Sequence, residues 1–160
     1  MYFKGMITLP DSVDVTDPCY DRDVWCRMKV CDLIPGKYNC FYDISDEEEC
    51  GRRVSEILIM KSDQDTIKRF VKDTLPWEEI GEIGVDAGLA GFFDDKPDFS
   101  DPEWQEFCDS MDDFKEMAWM RKFDGKDGFY ALSGYGDGCY PVSVLKDTDG
   151  KVYAVMIRFI

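Results

Sequence analysis

The 160 residues carry 34 acidic and 19 basic side chains and no histidine, for a formal net charge of −15. That field repels nucleic acid and anionic membrane and attracts cationic partners. Without imidazole, Ser-His-Asp and Cys-His catalysis and histidine-ligated metals are excluded, and any acid–base chemistry falls to carboxylates, Tyr, Lys or Cys.

In chain order, residues 2–9 form a first strand, broken at "LPDS". "DPCYDRD" (17–23) reads as a loop: Asp17, Asp21, Asp23 and Cys19 mix hard and soft ligands at no standard metal spacing, which favours a structural role. Residues 25–34 alternate, with Cys26, Met28 and Val30 opposite Arg27 and Lys29. "PGK" (35–37) then signals a turn into 38–44, which predicts a hairpin. Residues 52–61 become apolar on both faces, as expected inside a sheet. A short helix is predicted over 65–73, with Ile67, Phe70 and Val71 inward. Residues 80–94 are apolar and Gly-rich and predict two strands bending around Gly88.

A stronger helix is predicted over 101–118. Ser100 and Glu103 fit a capping box, Pro102 suits the first turn, and Trp104, Phe107, Cys108, Met111, Phe114 and Ala118 make one apolar stripe. Strand-like runs at 128–136 and 139–145 follow, then a turn at 146–151. Residues 151–160 read as an interior strand, with Val152, Ala154 and Met156 on one face and Tyr153, Val155, Ile157 and Phe159 on the other. No linker divides the chain, so residues 1–160 are expected to form a single domain: mainly β (α+β), an antiparallel sheet or β-sandwich with one or two amphipathic helices.

Seven cysteines (19, 26, 31, 40, 50, 108 and 139) include no C-x-x-C pair. Zinc ribbons and thioredoxin-type motifs are therefore unsupported. Five of them fall within 32 residues, which would suit a disulfide framework, but the N-terminal stretch has no apolar leader pattern. The expectation is a reduced, cytoplasmic protein with mostly buried thiols and no membrane span.

Three further stretches are candidate sites. "GYGDG" (134–138) has G-x-G-x-G spacing and a strand after it, which fits a hairpin-like turn rather than a phosphate loop. It could also present Asp137, Tyr135 or Tyr140. Asp86 lies inside the apolar segment "GVDAGLAGFFDD" (84–95), where a carboxylate needs a partner or a raised pKa; the alternative is an Asp capping its own bulge. Third, ten acids between Asp86 and Asp113 face one base, Lys96, and "DISDEEE" (43–49) adds five more. Asp94, Asp95, Asp98, Glu106, Asp109, Asp112 and Asp113 make a candidate acidic interaction face, which could equally be a solvated surface. Finally, "DTDGK" (147–151) lacks the ligand pattern of an EF-hand.

"VTDPCYD", "CGRRVSEILI", "IGVDAGLAGFFD" and "SGYGDGCYPV…GKVYAVMIRFI" occur in that order. Together they resemble small uncharacterised proteins of bacteria and their phages, similar to the domain-of-unknown-function 4241 family. Gly136-Asp137-Gly138-Cys139-Tyr140-Pro141 and Val85-Asp86-Ala87-Gly88 carry most of the likeness. It implies a β-rich cytosolic domain of phage or mobile-element origin, and no activity or catalytic residues.

The function expected first is a non-enzymatic acidic protein that binds a basic protein surface, as a phage inhibitor or immunity-type protein would. A second expectation is a pocket of Asp17, Asp86, Asp137, Tyr135 and Tyr140 at one end of the sheet, binding a small ligand or divalent cation, or acting as a carboxylate-based hydrolase. A third is a structural or assembly component. No cofactor is called for.

Overall fold

The computed structural model describes residues 1–20, 25–63, 74–95, 101–111 and 116–160. The strands are β1 (Tyr2–Leu9), β2 (Ser12–Thr16), β3 (Arg27–Cys31), β4 (Gly36–Asp46), β5 (Arg52–Lys61), β6 (Glu78–Val85), β7 (Leu89–Phe93), β8 (Ala118–Phe123), β9 (Lys126–Leu132), β10 (Gly138–Lys146) and β11 (Val152–Arg158). A 3₁₀ turn spans Glu48–Cys50, and helix α1 spans Asp101–Asp109. The strands form two antiparallel sheets, ordered β1-β4-β5-β11-β10-β6 and β3-β2-β7-β9-β8. The mainly β class with a described helix is as the sequence predicts.

The sheets face each other across one core. Val13, Val15, Val30, Phe92 and Phe129 of the smaller sheet pack with Ile7, Tyr38, Ile57, Ile83, Val142 and Val155 of the larger. Burying an aliphatic or aromatic side chain of this kind contributes roughly 1.5–3 kcal/mol, so this layer dominates stability. The outer face of the smaller sheet is covered by α1, through Phe107 against Phe93, Phe123 and Tyr130. The outer face of the larger sheet has its own apolar cluster around Leu58, Met60, Tyr153 and Met156, covered by Ile34, Leu75 and Trp77. Strand β11 lies between β5 and β10, the interior place its two apolar faces predict.

Several expectations are corrected. The predicted 25–44 hairpin does not form, because β3 and β4 belong to different sheets. The chain likewise changes sheet between β6 and β7 and between β9 and β10, so "GYGDG" is a crossover and not a hairpin turn. The helix predicted over 101–118 stops at Asp109, and Ala118 begins β8, whose register runs from Ala118↔Ala131 to Phe123↔Lys126. No base lies in the helix's last turn, and Asp109 opposes the helix dipole there, while β9 offers residues 118–123 a full ladder. Strand β2 was hidden by the Pro10 break. In β11, the shift from Leu145↔Ala154 to Lys146↔Val152 leaves Tyr153 as an extra residue, which puts Tyr153 with Ala154 and Met156 and sends Val152 to the central core. The predicted helix over 65–73, Ser100 and Phe114 lie outside the described residues.

All seven cysteines are free thiols. They are not mostly buried: Cys26 and Cys40 are, Cys19 and Cys108 are half-buried, and Cys31, Cys50 and Cys139 are exposed. Cys31 and Cys139 sit on strands that lie at or near sheet margins, where alternate residues face solvent. Among the described residues no helix is long and apolar enough to cross a membrane.

Candidate functional site

Three connections meet at one end of the sandwich: the loop after β2, the β6–β7 crossover at Asp86–Gly88, and the β9–β10 crossover at Ser133–Asp137. Asp17 joins the first two. Its carboxylate is fully buried. Oδ2 accepts hydrogen bonds from the backbone N–H groups of Asp86 (3.0 Å) and Ala87 (2.8 Å), and Oδ1 accepts from Cys19 N–H (2.9 Å). Burial holds its pKa above the ordinary carboxylate value, and these three donors offset only part of that rise. Such a carboxylate works as a staple between elements, with both oxygens already engaged.

Tyr140 plays the matching part in the third connection. Its single hydroxyl hydrogen is shared between the carbonyls of Ser133 (3.0 Å) and Gly136 (2.7 Å), and its ring meets Phe159 edge-on at 5.1 Å. Burial is the main cause of its raised pKa. Ser133 donates to Gly136 O through Oγ (2.7 Å) and to Gly88 O through its backbone N–H (3.0 Å), which ties the two crossovers together. Gly134 is required here: its φ is +62°, and a Cβ would come within 2.9 Å of Phe159 Cβ and 3.3 Å of Val54 O.

Asp86 and Asp137 are left at the surface. Both are exposed. Gly138 pairs with Val85, so Asp137 and Asp86 each sit one residue beyond the last pair of the β6–β10 ladder, at the same end. Asp86 Oδ2 accepts the hydroxyl hydrogen of Tyr20. That bond is the first cause of the Tyr20 pKa rising to about 12. Among the described residues neither aspartate forms an ion pair. Thus the structure brings Asp17, Asp86, Asp137 and Tyr140 to one end, in unlike roles. Tyr135 turns elsewhere: it is exposed, its hydroxyl donates to Glu47 Oε2 (2.6 Å), and the Arg53 guanidinium lies 5.5 Å from its ring centre.

Two residues of this end escaped sequence reasoning. Tyr20 is the partner of Asp86, and Trp25, 61% exposed, lies over Gly84, where any Cβ would collide with its indole ring. The available signal was Gly84 itself, a glycine inside a strand, which marks close approach by another group. Cys26, beneath this loop, is fully buried, and burial, with smaller contributions from the Asp17 and Asp86 charges, pushes its pKa up to about 11.

No family model, curated protein or solved structure matches this chain. What the site can do is therefore argued from its geometry. Among the described residues no group of three or more Cys, Asp or Glu is placed to hold a metal ion.

The acidic face is more mixed than its sequence. Asp95 pairs with Lys126 (2.5 Å), and Glu106 with Arg121 (3.3 Å). Asp94 has a raised pKa, first through burial. Asp109 is exposed and accepts from Gln105 Nε2 (2.8 Å). Bases from β8 and β9, distant in sequence, reach acids that stand nearly alone in the linear run. Asp21, Asp23, Asp98, Asp112 and Asp113 lie outside the described residues.

Proposed function

We propose that this chain is a non-enzymatic interaction protein that binds a basic protein surface in the cytoplasm, of the inhibitor or immunity type carried by phages and mobile elements. The observation that carries this reading is the division of labour at the crossover end. The buried carboxylate there is engaged by backbone N–H groups, while Asp86 and Asp137 stand exposed and, among the described residues, form no ion pair. Catalytic carboxylate pairs work from a cleft at a set spacing. Exposed carboxylates beside an exposed indole instead suit a lysine or arginine from a partner, which gains charge pairing and a cation–π face. Trp25 and Tyr20 supply the aromatic part. The net charge of −15 would speed encounter with such a surface and make it salt-dependent.

The test is capture from a bacterial host lysate at low salt, with mass spectrometry, followed by titration of the captured partner against wild type and Asp86→Asn/Asp137→Asn. Weakened binding by the double variant, and a wild-type affinity that falls with salt, support the reading. An affinity unchanged from low to high salt sinks it.

A further inference from the structure

A second feature lies on the outer face of the six-stranded sheet, away from the three aspartates. A groove of about 720 Å³ runs there, with Glu56, Ser143, Met156 and Arg158 along its floor and Trp77 and Glu79 among its flanking residues. That volume is within the range of small-ligand and peptide sites, roughly 300–1,000 Å³.

Its charged residues reach this face through irregularities in the ladders. On β5 the register passes from Asp43↔Glu56 to Ile44↔Val54, so Ser55 is an extra residue. Val54 points into the central core, and without the bulge Glu56 would share its face. On β6 the register passes from Val142↔Gly81 to Ser143↔Glu79, so Ile80 is extra. Ile83 points into the core, and regular alternation would send Glu79 the same way. Two bulges thus place two carboxylates on one outer face, and bulges are a common means of re-aiming a side chain beside a functional site.

The groups between them are of both signs. Arg158 is half-exposed, and its Nε stands 3.7 Å from Glu56 Oε2, an ion contact without hydrogen-bond length. Among the described residues the side chains of Arg158, Ser143 and Glu79 make no hydrogen bond, so a guanidinium, a hydroxyl and a carboxylate are available to a ligand. Glu79 and Ser143 are register partners, as are Ser143 and Met156, and Arg158 is two residues further along β11. Strand spacing of about 4.8 Å and a rise of about 3.3 Å per residue therefore separate the Glu79 and Arg158 Cα positions by roughly 12 Å. Arg158 rests toward Glu56 on the β5 side, and the Arg158 and Glu79 side chains are long enough to turn toward each other around two charges about 7 Å apart, the spacing of alternate residues in an extended peptide. Trp77 and Leu75, both half-buried, supply apolar surface.

We infer that this groove binds a short extended peptide bearing one anionic and one cationic group, the anion on Arg158 and Ser143 and the cation on Glu79. The same chemistry is offered by a free dipeptide, through its termini, and by a partner's segment with opposite charges at alternate positions. The site is independent of the crossover end, and its failure would leave the proposed function standing.

The test is titration of the full chain, labelled with ¹⁵N, using three probes: glycyl-leucine with free termini, N-acetyl-Lys-Ala-Glu-amide, and neutral N-acetyl-glycyl-leucine amide. Saturable shifts of the Ser143, Glu79 and Met156 amides and of the Trp77 indole are expected with either charged probe, and none with the neutral one. The charged probe that binds identifies the source. Arg158→Gln and Glu79→Gln should each weaken binding about tenfold, the usual effect of losing one charge-assisted hydrogen bond. Asp137→Asn should leave it unchanged. Absence of saturable shifts with both charged probes, equal shifts with the neutral one, or indifference to both groove variants would overturn the assignment.

Discussion

Replacing Asp17 with alanine tests the separation between staple and surface most directly. The substitution removes a buried carboxylate and leaves the N–H groups of Cys19, Asp86 and Ala87 without their acceptor. Each stranded buried donor costs about 1–3 kcal/mol, and the loop can relax to hydrate some of them. Removing the carboxylate also relieves the burial that raises its pKa, which offsets part of the loss. The expected net is a loss of about 3–4 kcal/mol, or roughly 6–16 °C in Tm for a chain of this size. Urea unfolding followed by circular dichroism measures it, with an unchanged m-value as the check that the folded ensemble is intact. Hydrogen exchange adds a local readout: the Asp86 and Ala87 amides should lose protection ahead of the sheet interior. Asp86→Ala is the control and should cost under about 1 kcal/mol, since that residue is exposed. An Asp17→Ala variant as stable as the Asp86→Ala control would refute the staple.

Tyr140→Phe should cost only about 1 kcal/mol in urea unfolding, because Ser133 O keeps the Gly136 N–H, Gly136 O keeps the Ser133 hydroxyl, and the edge-on packing on Phe159 survives. Gly134→Ala should cost about 2 kcal/mol or more by the same assay, combining a positive φ with the approach to Phe159 and Val54. Cys26 holds its proton more tightly when folded, so its contribution to stability is intact below about 9 and lost as pH rises through about 11; a pH series of thermal melts should show this alkaline loss, and Cys26→Ala should reduce it, leaving the part due to Tyr20 and the buried tyrosines. With a thiol-reactive chromogenic reagent at pH 8, Cys31, Cys50 and Cys139 should react fast in the native protein, and Cys26 and Cys40 only on unfolding.

Strand identity was readable in the sequence where apolar residues occupy both faces, as in 52–61 and 151–160, although the bulge at Tyr153 reverses the faces expected for Val152 and Tyr153. Sheet membership was not. Whether Gly88 or Gly136 turns the chain back along one sheet or across to the other depends on which strands later flank it, and no local pattern encodes that. Residues 101–118 show another limit. An apolar stripe with helical spacing covers Ala118, yet pairing with β9 decides its fate, a tertiary gain exceeding local propensity. At the crossover end, Asp17, Asp86 and Asp137 stood out because each sits in a turn-forming context. Their unequal roles did not, since burial separates a carboxylate that holds the chain from one that meets solvent. Trp25 was passed over because an exposed aromatic looks like any other in a linear string.

The Asp17 carboxylate reaches across 69 and 70 residues of chain to Asp86 and Ala87, from the smaller sheet to the turn where the larger sheet hands over to it. Whatever grips the rim at Asp86 and Asp137 therefore holds both layers of the sandwich at once. A partner seated there would act as a clamp against sliding of one sheet over the other. Its grip would be felt less in the shape of the folded protein than in how long that protein lasts, through slower unfolding and longer survival under proteolysis.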